Sequence, residues 1–295
     1  MIKVRQFEEK DAEFVQSRNY IQGLQFLYQG DFLRENILTA VDESGNIIGV
    51  SAISFHSTWY AKDIDITHML ILDECIDSDN PLGKQAQDML LSALKEKAKS
   101  YKKDFPNEKI AIQEFFEDKE YDRIQRLLEN GFIMSGVIPV LAYDLEKEIA
   151  HFEIPQGITF ERLELSGENV EKYIAATGNA NEGVCDSAPE LWFRSGDESF
   201  QIWCAFDGDK IVSSCTTWNI GEERCATENI FTNPNYRRKN IAREMIAQML
   251  ERLKADGKKV ATLSMLGTND KAMKLYTSLG YKLVFNLLEV KYDIK

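Results

Sequence analysis

The sequence predicts an α/β (α+β) protein in which one arrangement of elements is built twice. Two observations carry this. Runs alternating apolar and polar residues, bounded by Gly, Asn and Asp, are interleaved with stretches of helical period. The order β-α-β-β-β-α-β-α-β-β, read through the first half, then returns in the second. Between the two, from Glu146 to Gly157, periodicity lapses and Pro155-Gln156-Gly157 marks a turn. The domain boundary is placed there, giving expected domains of 1–150 and 155–295. Residue identity between the halves is low, so what repeats is the order of elements.

In the first half, Ile2–Phe7 alternates as a strand and Glu8–Leu27 reads as helical. Asn36–Val41 and Ile47–Phe55 form a hairpin around Gly45-Asn46, which supply positive φ. An extended run follows at Ile64–Leu72, then an acidic turn, Asp73–Gly83, and a helix presenting Ala86, Met89, Leu90, Ala93 and Leu94 on one face. A strand at Ile110–Gln113, a helix at Asp118–Glu129 closed by Gly131, and a strand at Val137–Leu145 complete the unit.

In the second half, Ile158–Leu165 is a strand, and Gly167–Thr177 and Ala188–Arg194 are helices. Phe200–Phe206 and Lys210–Ile220 form a hairpin around Gly208, and Arg224–Thr232 is a third extended run. The helix after it places Ala242, Met245, Ile246, Met249, Leu250 and Leu253 on one face, with Glu244, Glu251 and Lys254 off it. Lys259–Leu266 is a strand and Asn269–Leu279 a helix ending at Gly280. Tyr281–Phe285 and Leu288–Tyr292 are the last two strands.

The totals exclude several classes. Five cysteines, odd in number and without a Cys-x-x-Cys pair, argue against a disulfide framework or zinc ribbon and read as reduced core residues. His56, His68 and His151 lack metal-ligand spacing, so no metal is expected. The net charge of −13 is concentrated in residues 1–150, with 17 Lys and Arg against 27 Asp and Glu. That balance disfavours nucleic acid, which binds through cationic surface. No apolar run has the length of a signal or a membrane span, so the expectation is a cytoplasmic protein with no membrane partner, monomer or homodimer.

The stretch Ile230–Ala242 joins the end of a strand to a cationic turn and then to a helix. Such a junction makes an anion site. First-turn N–H groups lack intrahelical acceptors and the dipole is positive there, while Arg237, Arg238 and Lys239 add charge. Phosphate is the expected guest; the competing account is a solvated basic loop before a surface helix.

Ile230-Phe231-Thr232-Asn233-Pro234-Asn235-Tyr236-Arg237-Arg238-Lys239-Asn240-Ile241-Ala242 resembles the central signature of the GNAT superfamily of acyl-CoA N-acyltransferases: a strand, a Pro-containing turn, then Arg/Gln-x-x-Gly-x-Gly/Ala into a helix. The family's second signature appears as Asn269, Leu275-Tyr276 and Gly280-Tyr281. The resemblance covers residues 155–295 by motif and 1–150 by element order alone. It implies two tandem GNAT folds, each a mixed, mostly antiparallel twisted sheet flanked by helices. It also implies acetyl-CoA as co-substrate and a small-molecule or peptide amine as acceptor.

On that resemblance, backbone N–H groups from Arg238 to Ala242 hold the pyrophosphate with the cations beside it, and Asn269 joins the coenzyme-binding set. The peptide-like pantetheine pairs with Ile230, Phe231 and Thr232 where the strand splays from its neighbour. Direct attack by the amine requires a base and protonation of the departing thiolate. Tyr276 is the candidate acid, against a purely packing role between Ala272 and Leu279. Glu228 is the candidate base, sharing a strand face with Ile230 and Thr232 unless a bulge intervenes, against a solvated carboxylate. Asn240 stands where the family has Gly; Asn tolerates unusual dihedrals, so the departure bears on coenzyme affinity.

In the first half, Asp73–Asp79 replaces the basic turn with acids, Leu127 stands where Tyr276 does, and Glu120 where Asn269 does. A degenerate copy without coenzyme is the expectation. Acceptor choice is expected from Gly178–Ser199 and Asn286–Leu288; the first carries Glu182, Asp186, Glu190, Trp192, Phe193, Asp197 and Glu198, a mixture suited to a cationic amine. The functional expectation is an N-acetyltransferase. A non-catalytic acyl-CoA-binding or regulatory module is the alternative.

Overall fold

Strands and helices alternate in one order through both halves of the chain in a computed structural model that describes residues 1–61 and 65–295. The first half contains β1 (Lys3–Gln6), α1 (Ala12–Gln16), α2 (Tyr20–Tyr28), β2 (Ile37–Val41), β3 (Ile47–Phe55), β4 (Thr67–Ile76), α3 (Gly83–Asp104), β5 (Lys109–Glu117), α4 (Tyr121–Glu129) and β6 (Ile133–Asp144). The second contains β7 (Ile158–Arg162), α5 (Gly167–Ala180), α6 (Ala188–Arg194), β8 (Gln201–Asp207), β9 (Lys210–Asn219), β10 (Arg224–Thr232), α7 (Ile241–Ala255), β11 (Val260–Ser264), α8 (Asp270–Leu279) and β12 (Lys282–Asp293). The mixed, mostly antiparallel class is therefore as expected.

Contacts divide the chain into two compact units. One comprises 1–114, 124–134 and 290–295, and the other 115–123 and 135–289. The first holds strands in the order β1-β2-β3-β4-β5, with the end of β12 beside β5, where Ile294 N donates to Ile110 O at 2.9 Å. The second holds β6-β11-β10-β9-β8-β7. In it β6 pairs antiparallel with β11, from Val260↔Asp144 to Ser264↔Val140. A strand that precedes the Glu146–Gly157 stretch thus belongs to the second unit's sheet.

Several local readings change, among them the helical run Glu8–Leu27, which is broken into α1 and α2 because the Asn19 side chain accepts from Gln22 N and caps a new helix. The run expected from Ile64 begins outside the described residues, and the observed β4 continues to Ile76. It takes in Asp73, Glu74 and Cys75 because β3 offers an uninterrupted antiparallel partner from Gly49↔Ile76 to Phe55↔Leu70. The two closing strands are one strand, β12, since Asn286 and Leu287 carry no turn chemistry strong enough to break pairing. Glu244, expected off the apolar face of α7, is buried with Met245, Ile246, Met249, Leu250 and Leu253.

The end of α8 is closed by Gly280 at φ 103°, with Tyr281 N donating to Tyr276 O at 3.1 Å. The end of α4 repeats it, with Gly131 at φ 84° and Phe132 N donating to Leu127 O at 3.0 Å. This left-handed cap satisfies carbonyls that the helix leaves unpaired, and only glycine adopts it without a Cβ clash. The cap places Leu127 and Tyr276 at equivalent positions of their units.

In the second unit, α5 and α6 cover one sheet face, packing Tyr173 and Leu191 against Phe200, Cys204 and Phe231. Helices α7 and α8 cover the other, packing Ile246, Leu250 and Tyr276 against Leu141, Cys225 and Ala261. All five cysteines are buried and free of disulfides. Among the described residues no helix is long and apolar enough to cross a membrane.

Candidate active site

Strand β10 runs parallel to β11 over three residues, Arg224↔Val260 to Ala226↔Thr262; among the described residues no further pair follows. Its other edge stays bonded to β9, with a register shift between Glu228↔Thr216 and Phe231↔Ser214. Between those pairs two residues on β10, Asn229 and Ile230, oppose one on β9, Cys215, which is a bulge. Asn229 takes up the extra length at φ 48°, in the left-handed region where Asn is tolerated. The sheet therefore opens between β10 and β11 at the residues expected to meet pantetheine, Ile230, Phe231 and Thr232.

The bulge also decides what shares a face. Ile230 packs into the cluster under α7 and α8, and Phe231 into the one under α5. Glu228 reaches α6, so it lies on the Phe231 side rather than with Ile230. The inserted residue breaks the alternation that would have put Glu228 with Ile230 and Thr232.

After Thr232 the chain makes a single turn, Pro234–Tyr236, capped by the Asn233 side chain accepting from Asn235 N at 3.2 Å. Tyr236 Oη donates to Asp207 at 2.6 Å and fixes the turn against β8. Arg238 and Asn240 are both left-handed, at φ 62° and 60°. Asn240 thus adopts the conformation for which the family pattern has Gly. A left-handed residue followed by a helical one turns successive N–H groups to one side, a concavity suited to an anion.

The first hydrogen bond of α7 is from Glu244 N to Asn240 O, at 3.0 Å. Ile241, Ala242 and Arg243 N–H groups therefore lack intrahelical acceptors. Arg238, Lys239 and Asn240 N–H groups donate to nothing among the described residues.

The cations of this turn divide into two kinds. Arg238 and Lys239 have no carboxylate partner among the described residues, and Lys239 Nζ sits 5.1 Å from the Tyr236 ring centroid. Arg237 instead spends its guanidinium on the backbone, donating from Nε to Thr232 O at 3.0 Å and from Nη2 to Ala180 O at 2.9 Å. It ties the turn to the end of α5. Arg243, one residue past the predicted set, lies over Phe152 at 5.3 Å and donates to Ser278 Oγ at 3.3 Å. Its place in the first turn of α7 was the available signal.

Asn269 is the N-cap of α8, its Oδ1 accepting from Ala272 N at 3.1 Å. Seven residues on, Tyr276 is buried with its ring 5.8 Å from that of Tyr281. Its hydroxyl makes no hydrogen bond among the described residues. Burial pushes the phenol above its ordinary range, with a smaller contribution from the Cys215 thiol, so the proton is held at neutral pH. Tyr276 belongs to the cluster under α7 and α8, whereas Glu228 meets α6 on the other face.

On the Glu228 side the carboxylate meets Arg194, with Nη1 to Oε2 at 3.1 Å. Arg194 also holds Glu190 on the preceding turn of α6, from Nη2 at 2.8 Å and Nε at 3.1 Å to Oε1. Burial opposes the guanidinium charge, yet Glu190, Asp186 and Glu228 together drive its proton affinity up. Asn229 Nδ2 donates to Asp186. Sequence reasoning placed Asp186 and Glu190 in an acceptor loop but missed Arg194, whose partner lies 34 residues away.

The first half of the chain differs at each of these places. Strand β4 pairs with β3 without a bulge. The turn after it carries Asp77 and Asp79, and α3 begins at Gly83. Leu127, at the position of Tyr276, is fully buried, and its neighbour Arg126 forms a buried ion pair with Glu74. Glu120 Oε1 accepts from Glu117 N at 3.0 Å.

The second half of the chain thus combines a strand pair that opens with a helix N-terminus whose first N–H groups lack intrahelical acceptors. Residues 169–281 match the model of the Acetyltransferase (GNAT) family. No curated protein sequence matches the chain.

Among solved structures, the chain is similar to a tandem GNAT protein from the clavulanic acid biosynthesis pathway, with TM-score 0.68 at 8% identity over 100% of this chain and 99% of that one. A GCN5-related N-acetyltransferase from Anabaena variabilis gives 0.65 at 11%, over 100% and 73%. One from Sphaerobacter thermophilus gives 0.61 at 14%, over 100% and 96%. At these identities the likeness is one of fold, and it extends over both units.

Proposed function

We propose that the chain is an N-acetyltransferase that moves an acetyl group from acetyl-CoA to a primary amine of a small molecule or peptide. Catalysis is assigned to 155–295 with its β6 partner strand, and 1–150 is read as a degenerate GNAT-like copy. The observation that carries this reading is the turn Arg238–Arg243. Its N–H groups and two cations, which have no partner among the described residues, follow directly on a strand that opens from its neighbour at the bulge. A pyrophosphate at that turn places the acyl end of an extended pantetheine along Ile230–Thr232 and toward the opening.

Glu228, directly or through water, takes the proton of the attacking amine. The neutral nitrogen adds to the thioester carbonyl, the C–S bond breaks, Tyr276 gives its proton to the departing sulfur, and the second proton shed by the nitrogen as it becomes the amide restores the phenol. Burial keeps that phenol protonated until then. The missing bulge, the acidic turn and the leucine at the tyrosine position support loss of the same chemistry in the first unit.

Isothermal titration with acetyl-CoA and thiol release over a panel of amines test the reading. Saturable binding with turnover that falls in Tyr276→Phe is expected. Binding without turnover on any amine would assign the chain to an acyl-CoA-binding or regulatory role, and absence of binding would overturn the proposal.

A further inference from the structure

The bulge on β10 and the segment from Asp186 to Arg194 are joined by two polar bridges at consecutive residues. Asn229 donates to Asp186, and Glu228 accepts from Arg194. The second bridge has the geometry of a brace. Helix α6 starts at a Ser187 cap whose hydroxyl accepts from Glu190 N at 3.0 Å, which sets Glu190 in the first turn. Arg194, one turn on, uses Nε and Nη2 on a single oxygen of Glu190 and keeps Nη1 for Glu228.

A planar guanidinium engaged on two edges has little freedom left. Its hold on Glu228 is confined to Oε2. Oε1 accepts no hydrogen bond among the described residues, so one carboxylate oxygen is fixed while the other is left for a proton. All three side chains are only partly exposed, at 31% for Arg194, 20% for Glu190 and 31% for Glu228.

We infer that Arg194, itself anchored by Glu190, is a positioning residue that orients Glu228 so that Oε1 receives the acceptor's proton. The inference rests on the reading of Glu228 as base. Arg194 touches neither coenzyme nor acceptor in this role, and its effect runs through the carboxylate. The shape of the guanidinium matters as well as its charge, because a lysine ammonium is a single point that cannot span Glu190 and Glu228 with the same geometry.

The test compares Arg194→Ala, Arg194→Lys and Glu190→Gln with the wild type. Readouts are kcat and KM for the best amine of a panel (an alkylamine, a diamine, an amino sugar and a dipeptide), the acetyl-CoA dissociation constant, and crystal structures of the variants. In Arg194→Ala, kcat should fall by about 10- to 100-fold, as expected for a displaced reacting group, with acetyl-CoA affinity unchanged. Guanidinium chloride below denaturing concentrations should restore part of the rate, whereas sodium chloride at equal ionic strength should not. Arg194→Lys should recover less than the added guanidinium, Glu190→Gln should be intermediate, and the Glu228 carboxylate should leave its position in the Arg194→Ala crystal.

A kcat within about twofold of wild type, or full function in Arg194→Lys, would overturn the inference. So would a Glu228 carboxylate that stays in place without Arg194. Should the wild type turn over no amine, the acetyltransferase reading fails, and the crystallographic position of Glu228 alone decides whether Arg194 orients it.

Discussion

His151 Nδ1 lies 3.1 Å from Glu244 Oε1, and the backbone N–H of Phe152 donates to the other oxygen of the same carboxylate at 2.8 Å. The stretch that reads in sequence as a domain boundary is thus fastened to the first turn of α7, next to the Arg238–Asn240 turn. Burial opposes ionisation of Glu244, but the bonds from Phe152, Gln248 and His151 outweigh it and hold the carboxyl below its ordinary 4.5. The Glu244 hydrogen bond raises His151 above 6.5. The Glu244 contribution to stability is present above about pH 4.5 and lost as pH falls through the lowered value. The His151 contribution is full below about pH 6.5 and lost as pH rises through the raised one. The difference in Tm between wild type and His151→Ala should be largest between those limits and shrink toward pH 9. A difference that does not vary with pH would contradict a charged clamp.

Removing the Tyr276 hydroxyl tests the acid. Tyr276→Phe keeps the ring in its cluster, so Tm and acetyl-CoA affinity should change little while kcat drops by about 100-fold. Normal turnover in this variant would remove Tyr276 from the chemistry and leave it as core.

The cations after Tyr236 should separate by experiment. Arg238→Glu and Lys239→Glu should each weaken acetyl-CoA binding by roughly tenfold, about 1.4 kcal/mol, measured by titration, with Tm preserved. Arg237→Ala should lower Tm, because it releases the Thr232 and Ala180 carbonyls, and should affect the coenzyme only through the loosened turn. Equal effects of all three on binding alone would contradict the geometry.

At the end of α8, Gly280 sits at φ 103°, and an added Cβ would come within 3.2 Å of the Tyr143 ring. Gly280→Ala should destabilise the protein by roughly 1–2 kcal/mol in chemical denaturation, from the left-handed penalty together with the displaced ring. A neutral effect would mean that the cap relaxes at no cost.

Much of this protein is determined by sequence alone. Alternating and helical periods with Gly and Asn at their breaks mark nearly every element. The matched caps at Gly131 and Gly280, and the strand-turn-helix from Ile230 to Ala242, are equally plain. These are local properties, set by φ/ψ preference and side-chain period within a few residues. Tertiary structure decided the rest. That β4 runs through Asp73 to Ile76 depends on its partner β3, and that β6 joins β11 depends on a strand more than a hundred residues away. Glu228 faces α6 because one extra residue at Asn229 shifts the β10 register. Arg237 binds carbonyls and Arg194 binds Glu228 because folding brings their acceptors within reach. Pairing register and side-chain partnership are long-range choices, made by which backbone and which charges the fold brings together, and no local pattern encodes them.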